Sequence, residues 1–326
     1  MDAFFSIILI ISGFALLLGA GHFLVDSSVN LAEKLKVSSA VIGLTFVAIG
    51  TSMPELVVSL VAVFGGSSEI AVANVIGSNS VNIAVVLGVT AMILPIEVKG
   101  TVVKIEWPAV FFVSVLFLLF ALDGRFSPIE GAVFLTLLIM FYSFMIRVSR
   151  ASKGIAKELR EGTKVNPNEI KEERGFGFIF AVMAGSLVLL FLGGKLVLVG
   201  AVDLARIFGM SERVIGLTIV ALGTSLPELI TSLIAIYRKL DEIALGNILG
   251  SNLVNILLII GSTSLMGSIP VSHELVSVDG GYMLVVLAVI FPFMIFMKKI
   301  PRFLGAILFI SWIAYTVLIV REGLGA

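Results

Sequence analysis

Long apolar runs separated by short polar segments fill the chain. Ten stretches qualify, or nearly do, at roughly 4–25, 40–64, 70–94, 107–122, 131–146, 176–199, 214–237, 243–266, 281–297 and 303–320. A helix needs about 20 mostly apolar residues to cross the hydrocarbon of a bilayer, so the pattern predicts ten transmembrane helices. The first stretch follows Asp2 rather than a basic region, is too long for a signal peptide, and has a counterpart later in the chain. It is therefore expected to remain as a span.

Composition agrees with a polytopic membrane protein. Of the 326 residues, 59% are hydrophobic and 13% charged, and mean hydropathy is +1.15. A soluble domain carries about 25% charged residues. A soluble enzyme, a disordered chain and a nucleic-acid binder are excluded; 22 basic residues against 22 acidic leave no net field for polyanions. With no Cys and only His22 and His273, thiol chemistry and imidazole metal sites drop out. Basic residues set the orientation: 17 of the 22 fall in the loops after stretches 1, 3, 5, 7 and 9. Both termini are thus predicted extracellular, and the polar segment 148–175 is predicted to be a cytoplasmic linker.

The chain also repeats itself. GLTFVAIGTSMPELVVSL (43–60) and GLTIVALGTSLPELITSL (216–233) are identical at 13 of 18 positions, at an offset of 173. The same offset aligns ANVIGSNSVNIAVVLG (73–88) with GNILGSNLVNILLIIG (246–261) at eight of 16. Each half holds five spans, an odd number, so the second copy must enter the membrane from the opposite side. The expected fold is an all-α polytopic membrane protein with two inverted five-helix repeats, 1–147 and 176–326. Such repeats with a site at their interface are a common plan of secondary transporters.

Glu55 and Glu228 are the acidic residues expected well inside the hydrocarbon, and they are the same residue of the two repeats. A buried carboxylate is expensive and normally faces a partner, a cavity or an ion. Lys195 is one cation for two carboxylates and sits about one helix away. Pro54 and Pro227 should break their helices and free the carbonyls of Gly50 and Gly223. Beside each break lie Thr51-Ser52 and Thr224-Ser225; Ser78 with Asn82, and Ser251 with Asn255, share helix faces at i, i+4. Carboxylate, hydroxyl, amide oxygen and backbone carbonyl suit hard cations such as Ca²⁺, or Na⁺ of similar size. Hydrogen-bond glue between helices is the alternative for any single Ser, Thr or Asn; a duplicated set around a duplicated Glu speaks against it.

The motifs GTSMPEL (50–56), GTSLPEL (223–229), GSNSVNI (77–83) and GSNLVNI (250–256) resemble the two repeats of the cation/calcium exchanger superfamily, and within it the prokaryotic-type Na⁺/Ca²⁺ exchangers. The resemblance implies that spans 2, 3, 7 and 8 enclose the ions while spans 1 and 6 slide as a gate. It implies Ca²⁺ held by Glu55 and Glu228 with Thr51 and Thr224 through their carbonyls. It implies one Na⁺ site from Ser52, Ser78 and the Ala48 carbonyl, and its mirror from Ser225, Ser251 and the Ala221 carbonyl, with Asn82 and Asn255 in the middle. K⁺-dependent members carry Asp where this chain has Asn255, so K⁺ independence is expected. So are alternating access and an electrogenic exchange of three Na⁺ for one Ca²⁺, without a cofactor or obligate protein partner, in the cell membrane. Protons are expected to compete with Ca²⁺ for the carboxylates. Gly19 and Gly21, with Gly193 and Gly194, would let the gate spans lie close to the core and slide, and His22 and Lys195 would lie near span ends. H⁺-coupled exchange on the same fold is the nearest rival. An intramembrane hydrolase using the two Glu as acid and base lacks metal-binding His and ranks far below.

Overall fold

A computed structural model describes residues 3–151, 175–210, 219 and 221–325. Helices run through it: α1 (Ala3–Leu35), α2 (Ser39–Thr51), α3 (Met53–Phe64), α4 (Glu69–Ile93), α5 (Val102–Asp123), α6 (Pro128–Ala151), α7 (Phe176–Ile207), α8 (Ala221–Thr224), α9 (Leu226–Tyr237), α10 (Asp241–Leu265), α11 (Leu275–Met297) and α12 (Arg302–Gly325). Helices satisfy every backbone group within the segment, which lipid requires. Among the described residues, eight are long and apolar enough to cross a membrane, or nine with α2 and α3 as one bent span. The stretch expected at 214–237 is described only from α8 onward, apart from residue 219, and most of the linker expected at 148–175 lies outside the described residues. α1 runs ten residues past its expected end at 25, because 22–35 contains neither Gly nor Pro to stop it.

Burial separates a centre from a shell. In α10, 94% of the most apolar window is buried, and in α4 78%; in α1, α6 and α12 it is 22%. Large apolar side chains of the shell, such as Phe4, Phe112, Ile139 and Phe296, are exposed on the outside, where acyl chains replace water. α1 and α7 cross with almost no separation. A Cβ on Gly13 would lie 2.7 Å from the Gly193 carbonyl, and one on Gly193 would lie 2.9 Å from that of Gly13. Of the glycines expected to bring these helices close to the core, Gly21 meets Ile234 of α9 and a Cβ on Gly194 would lie 3.7 Å from Pro227 and the Gly223 carbonyl, whereas Gly19 faces open space. At the other end of α1, Asp26 pairs with Arg238, whose Nη2 also donates to His22 Nδ1 at 2.7 Å. Lys195 is exposed.

The two halves reproduce each other locally. Wide π-helical turns occupy Asn82–Leu87 and Asn255–Ile260, and again Val102–Glu106 and Leu275–Asp279, each pair 173 residues apart. Two short antiparallel ribbons tie the halves together. β1 (Ile96–Glu97) pairs with β4 (Lys299–Ile300), and β2 (Arg125–Phe126) with β3 (Ile269–Pro270).

Candidate ion-binding site

The site grows from two helix breaks. Pro54 and Pro227 have no N–H to continue a ladder, and the chain turns at Ser52 (φ −84°, ψ 7°) and Ser225 (φ −90°, ψ 7°), the same conformation in both copies. α2 and α3 meet there at 44°. The Gly50 carbonyl, expected to be free, instead accepts a backbone N–H at the break. The turn tightens rather than opening, so proline's missing donor is made good by a neighbour. The Ala48 carbonyl accepts Ser52 N–H at 3.0 Å and the Thr51 hydroxyl at 3.4 Å. Ala221 opens α8, the counterpart segment.

Each break carries its glutamate into the first turn of the next helix, where Glu55 and Glu228 are 1% and 0% exposed. The two carboxylates are close enough to interact electrostatically, and Ser225 and Thr224 lie around Glu55. Contacts cross between halves. Ser52 Oγ donates to Glu228 Oε1 at 3.2 Å, Ser251 Oγ reaches the same oxygen at 3.5 Å, and Thr51 Oγ1 stands 3.5 Å from Ser251 Oγ. Thr51, Ser52, Ser78, Asn82, Ser225, Ser251 and Asn255 are all buried, and Ala48 with them. The structure therefore gathers Thr51, Ser52 and Ser251 directly about Glu228. Asn82 and Asn255 each open a π-helical turn, a feature frequent at functional sites.

Many of the buried oxygens have no donor. Both oxygens of Glu55, Glu228 Oε2, Ser225 Oγ, and the amide oxygens of Asn82, Asn252 and Asn255 are buried without a hydrogen-bond partner. Native structures leave few such groups unsatisfied, and a cation would satisfy acceptors of this kind. Among the described residues no group of three or more His, Cys, Asp or Glu is placed to hold a metal ion. Any ion here is held by two carboxylates and neutral oxygens.

Several polar residues stand outside the expected ligand set, among them Asn79 and Asn252 of the repeated Gly-Ser-Asn motif. Asn79 Nδ2 donates to the Asn252 carbonyl at 3.3 Å, and Asn255 Nδ2 to Asn79 Oδ1 at 3.1 Å, pinning α4 to α10. Asn74 and Asn247 bond to the glutamate-bearing helices; they stand four residues before Ser78 and Ser251, so extending the i, i+4 pattern by one turn would have found them. Glu106 is a third buried carboxylate, 1% exposed, because α5 begins five residues earlier than the span expected from 107.

The family model described as "Sodium/calcium exchanger protein" matches residues 5–147 and 178–321. The chain belongs to that family. Among individual relatives, the exchanger is 39% identical over 254 residues to CaxA of Alkalimonas amylolytica, covering 78% of each chain. It is 30% identical to the sodium/calcium exchanger MaX1 of Methanosarcina acetivorans, over 96% of this chain and 97% of that one. A solved structure of the sodium-calcium exchanger NCX_Mj, soaked with Na⁺ and Sr²⁺, superposes with a TM-score of 0.79 at 30% identity, covering 96% and 98% of the two chains. The exchanger is thus an all-helical, multi-pass membrane transporter of cations and not an enzyme.

Proposed function

We propose that the chain exchanges Na⁺ for Ca²⁺ by alternating access, with Glu55 and Glu228 sharing one Ca²⁺ between two inverted halves. The observation that carries this reading is the set of buried, donorless oxygens: carboxylate oxygens at the two helix breaks and amide oxygens of Asn82, Asn252 and Asn255 on α4 and α10. Such a set matches a hard cation and offers nothing to a soft one. Thr51 and Thr224 contribute carbonyls, and Ser52, Ser78 and the Ala48 carbonyl form a Na⁺ site mirrored by Ser225, Ser251 and the Ala221 carbonyl. Asn82 and Asn255 line the middle.

Inversion of repeats 1–147 and 176–326, five spans each, draws support from the ribbons. β1 and β2 are separated by α5, a membrane-long helix, and so lie at opposite ends of it. β3 is the repeat counterpart of β1, 173 residues on, yet it pairs with β2. Equivalent segments at opposite ends are what inversion requires. Both termini then lie outside and 148–175 in the cytoplasm. The tight pair of α1 and α7 is the sliding element, pivoting where Gly13 meets Gly193.

The ratio of three Na⁺ to one Ca²⁺ is taken from the family resemblance, and the charge count is compatible with it. Two carboxylates supply −2; one Ca²⁺ cancels it, and three Na⁺ leave +1. Each exchange then moves a charge worth about 2.3 kcal/mol per 100 mV. Protons compete by neutralising either carboxylate.

Reconstituted vesicles test the coupling. Loaded with Na⁺ and diluted into Na⁺-free, K⁺-free buffer, they are expected to accumulate Ca²⁺, faster when the interior is held positive by a K⁺-independent ion gradient, because each cycle carries one net positive charge outward, and less at acid pH. Uptake that follows an imposed pH gradient and ignores internal Na⁺ would instead assign the protein to H⁺-coupled exchange.

A further inference from the structure

We propose that Asn247, with its repeat counterpart Asn74, is a positioning residue for the ion site, and that Asn247 ties the two broken helices to each other. This rests on the exchanger reading above and adds residues outside its ion-ligand set. Asn247, Ser251 and Asn255 follow one another at i, i+4 and i+8, as do Asn74, Ser78 and Asn82, so each trio lines one face of its helix.

The donor side of the two amides is identical. Asn74 Nδ2 donates to the Glu55 carbonyl at 3.2 Å and to Ser59 Oγ at 3.0 Å. Asn247 Nδ2 donates to the Glu228 carbonyl at 3.4 Å and to Ser232 Oγ at 3.1 Å. An amide nitrogen has two hydrogens and each is used. The bonds clamp the first turn of α3 to α4, and that of α9 to α10. They fix the backbone from which each carboxylate hangs, without touching the carboxylate itself.

The acceptor side of Asn247 adds the cross-connection. Its Oδ1 accepts the Thr51 hydroxyl at 3.1 Å. Thr51 is the last residue of α2, in the other half, next to Ser52, which donates to Glu228 Oε1. One buried side chain, 0% exposed, thus holds the Thr51 end of one break and the Glu228 end of the other. The Glu228 carbonyl sets the amide's orientation, because a flip would put oxygen against oxygen there. Asp in this place keeps the bond from Thr51 and loses both bonds to the Glu228 turn; Leu loses all three.

Equilibrium Ca²⁺ binding to the purified full-length chain, with thermal unfolding in the same detergent, tests the proposal. Asn247→Leu and the smaller Asn247→Ser are expected to weaken Ca²⁺ binding about tenfold, the effect of leaving buried groups unpaired, with the bound stoichiometry unchanged. Asn247→Asp is expected to weaken it as well, although it preserves the acceptor. Because Thr51 and Asn247 share a bond, Thr51→Val combined with Asn247→Leu should cost less than the two changes added, whereas Thr51→Val combined with Asn74→Leu should be additive. Unchanged affinity in both Leu and Ser variants, or additive losses for Thr51 and Asn247, would overturn the positioning role. Wild-type protein that binds no Ca²⁺ would overturn the exchanger reading as well, a result distinct from either.

Discussion

Glu55→Gln and Glu228→Gln are each expected to lower Ca²⁺ affinity by two to four orders of magnitude and to abolish exchange at Ca²⁺ concentrations that saturate the wild type. Glutamine keeps the shape and one acceptor oxygen but removes a full charge from a site where both carboxylates are essentially unexposed. Breaking a buried charge pair by removing one partner costs about 3–5 kcal/mol, and each 1.4 kcal/mol is a factor of ten. The two losses should be similar in size, because both breaks place their glutamate in the same turn with the same backbone angles at the preceding serine. Glu106→Gln is the internal control. Glu106 is as buried as Glu55, but it sits at the start of α5, away from both breaks. Its replacement should leave Ca²⁺ affinity within about twofold. Radiolabelled Ca²⁺ uptake over a concentration series separates these outcomes, and equal losses at all three positions would mean that burial rather than position makes a carboxylate matter.

The second large effect is expected at Gly250. A Cβ there would lie 2.6 Å from Ala48 Cβ and 2.7 Å from both Cα and the carbonyl oxygen of Leu44. Two of these three atoms are backbone, so no rotamer change relieves the clash, and α10 must move away from α2. Overpacking of this sort costs about 1–3 kcal/mol. Here the displaced helix carries Ser251, and the displaced neighbour carries the Ala48 carbonyl, two parts of the proposed Na⁺ sites. Gly250→Ala should therefore lower the thermal unfolding midpoint and reduce exchange more than tenfold. Gly19→Ala should do neither, since nothing lies within 4 Å of the added carbon. A Gly250→Ala protein with wild-type exchange would show that α2 and α10 need not touch for transport.

What could be read from the sequence divides along physical lines. The glutamates were visible because a charge within an apolar run has no cheap structural role. The breaks were visible because proline lacks its donor wherever it occurs. The duplicated motifs predicted a paired site without any coordinates; that Ser52 of one half and Ser251 of the other meet at Glu228 is visible only in the structure. Properties that depend on a neighbour's position were not visible. Gly13 is the α1 glycine that meets Gly193 of α7, a contact that no motif marks. Glu106 looked like a residue of the loop before a span until α5 was seen to start at Val102. Asn247 lies outside the residues that the motifs single out, and its role appears only when Thr51 and Glu228 are seen to converge on its amide. The Gly50 carbonyl marks the opposite error: a local rule predicted a free acceptor, and the tightened turn filled it.

One Ca²⁺ shared between the two halves means a single bound ion per chain, a number that can be counted. Equilibrium binding of radiolabelled Ca²⁺ to the purified chain in Na⁺-free buffer is predicted to give one ion per chain in the wild type. At the same free Ca²⁺, Glu55→Gln and Glu228→Gln should each give none, and Na⁺ added to the wild type should displace the ion. Two ions per chain, with one surviving each single substitution, would contradict the account, because each glutamate would then own a site independent of the other.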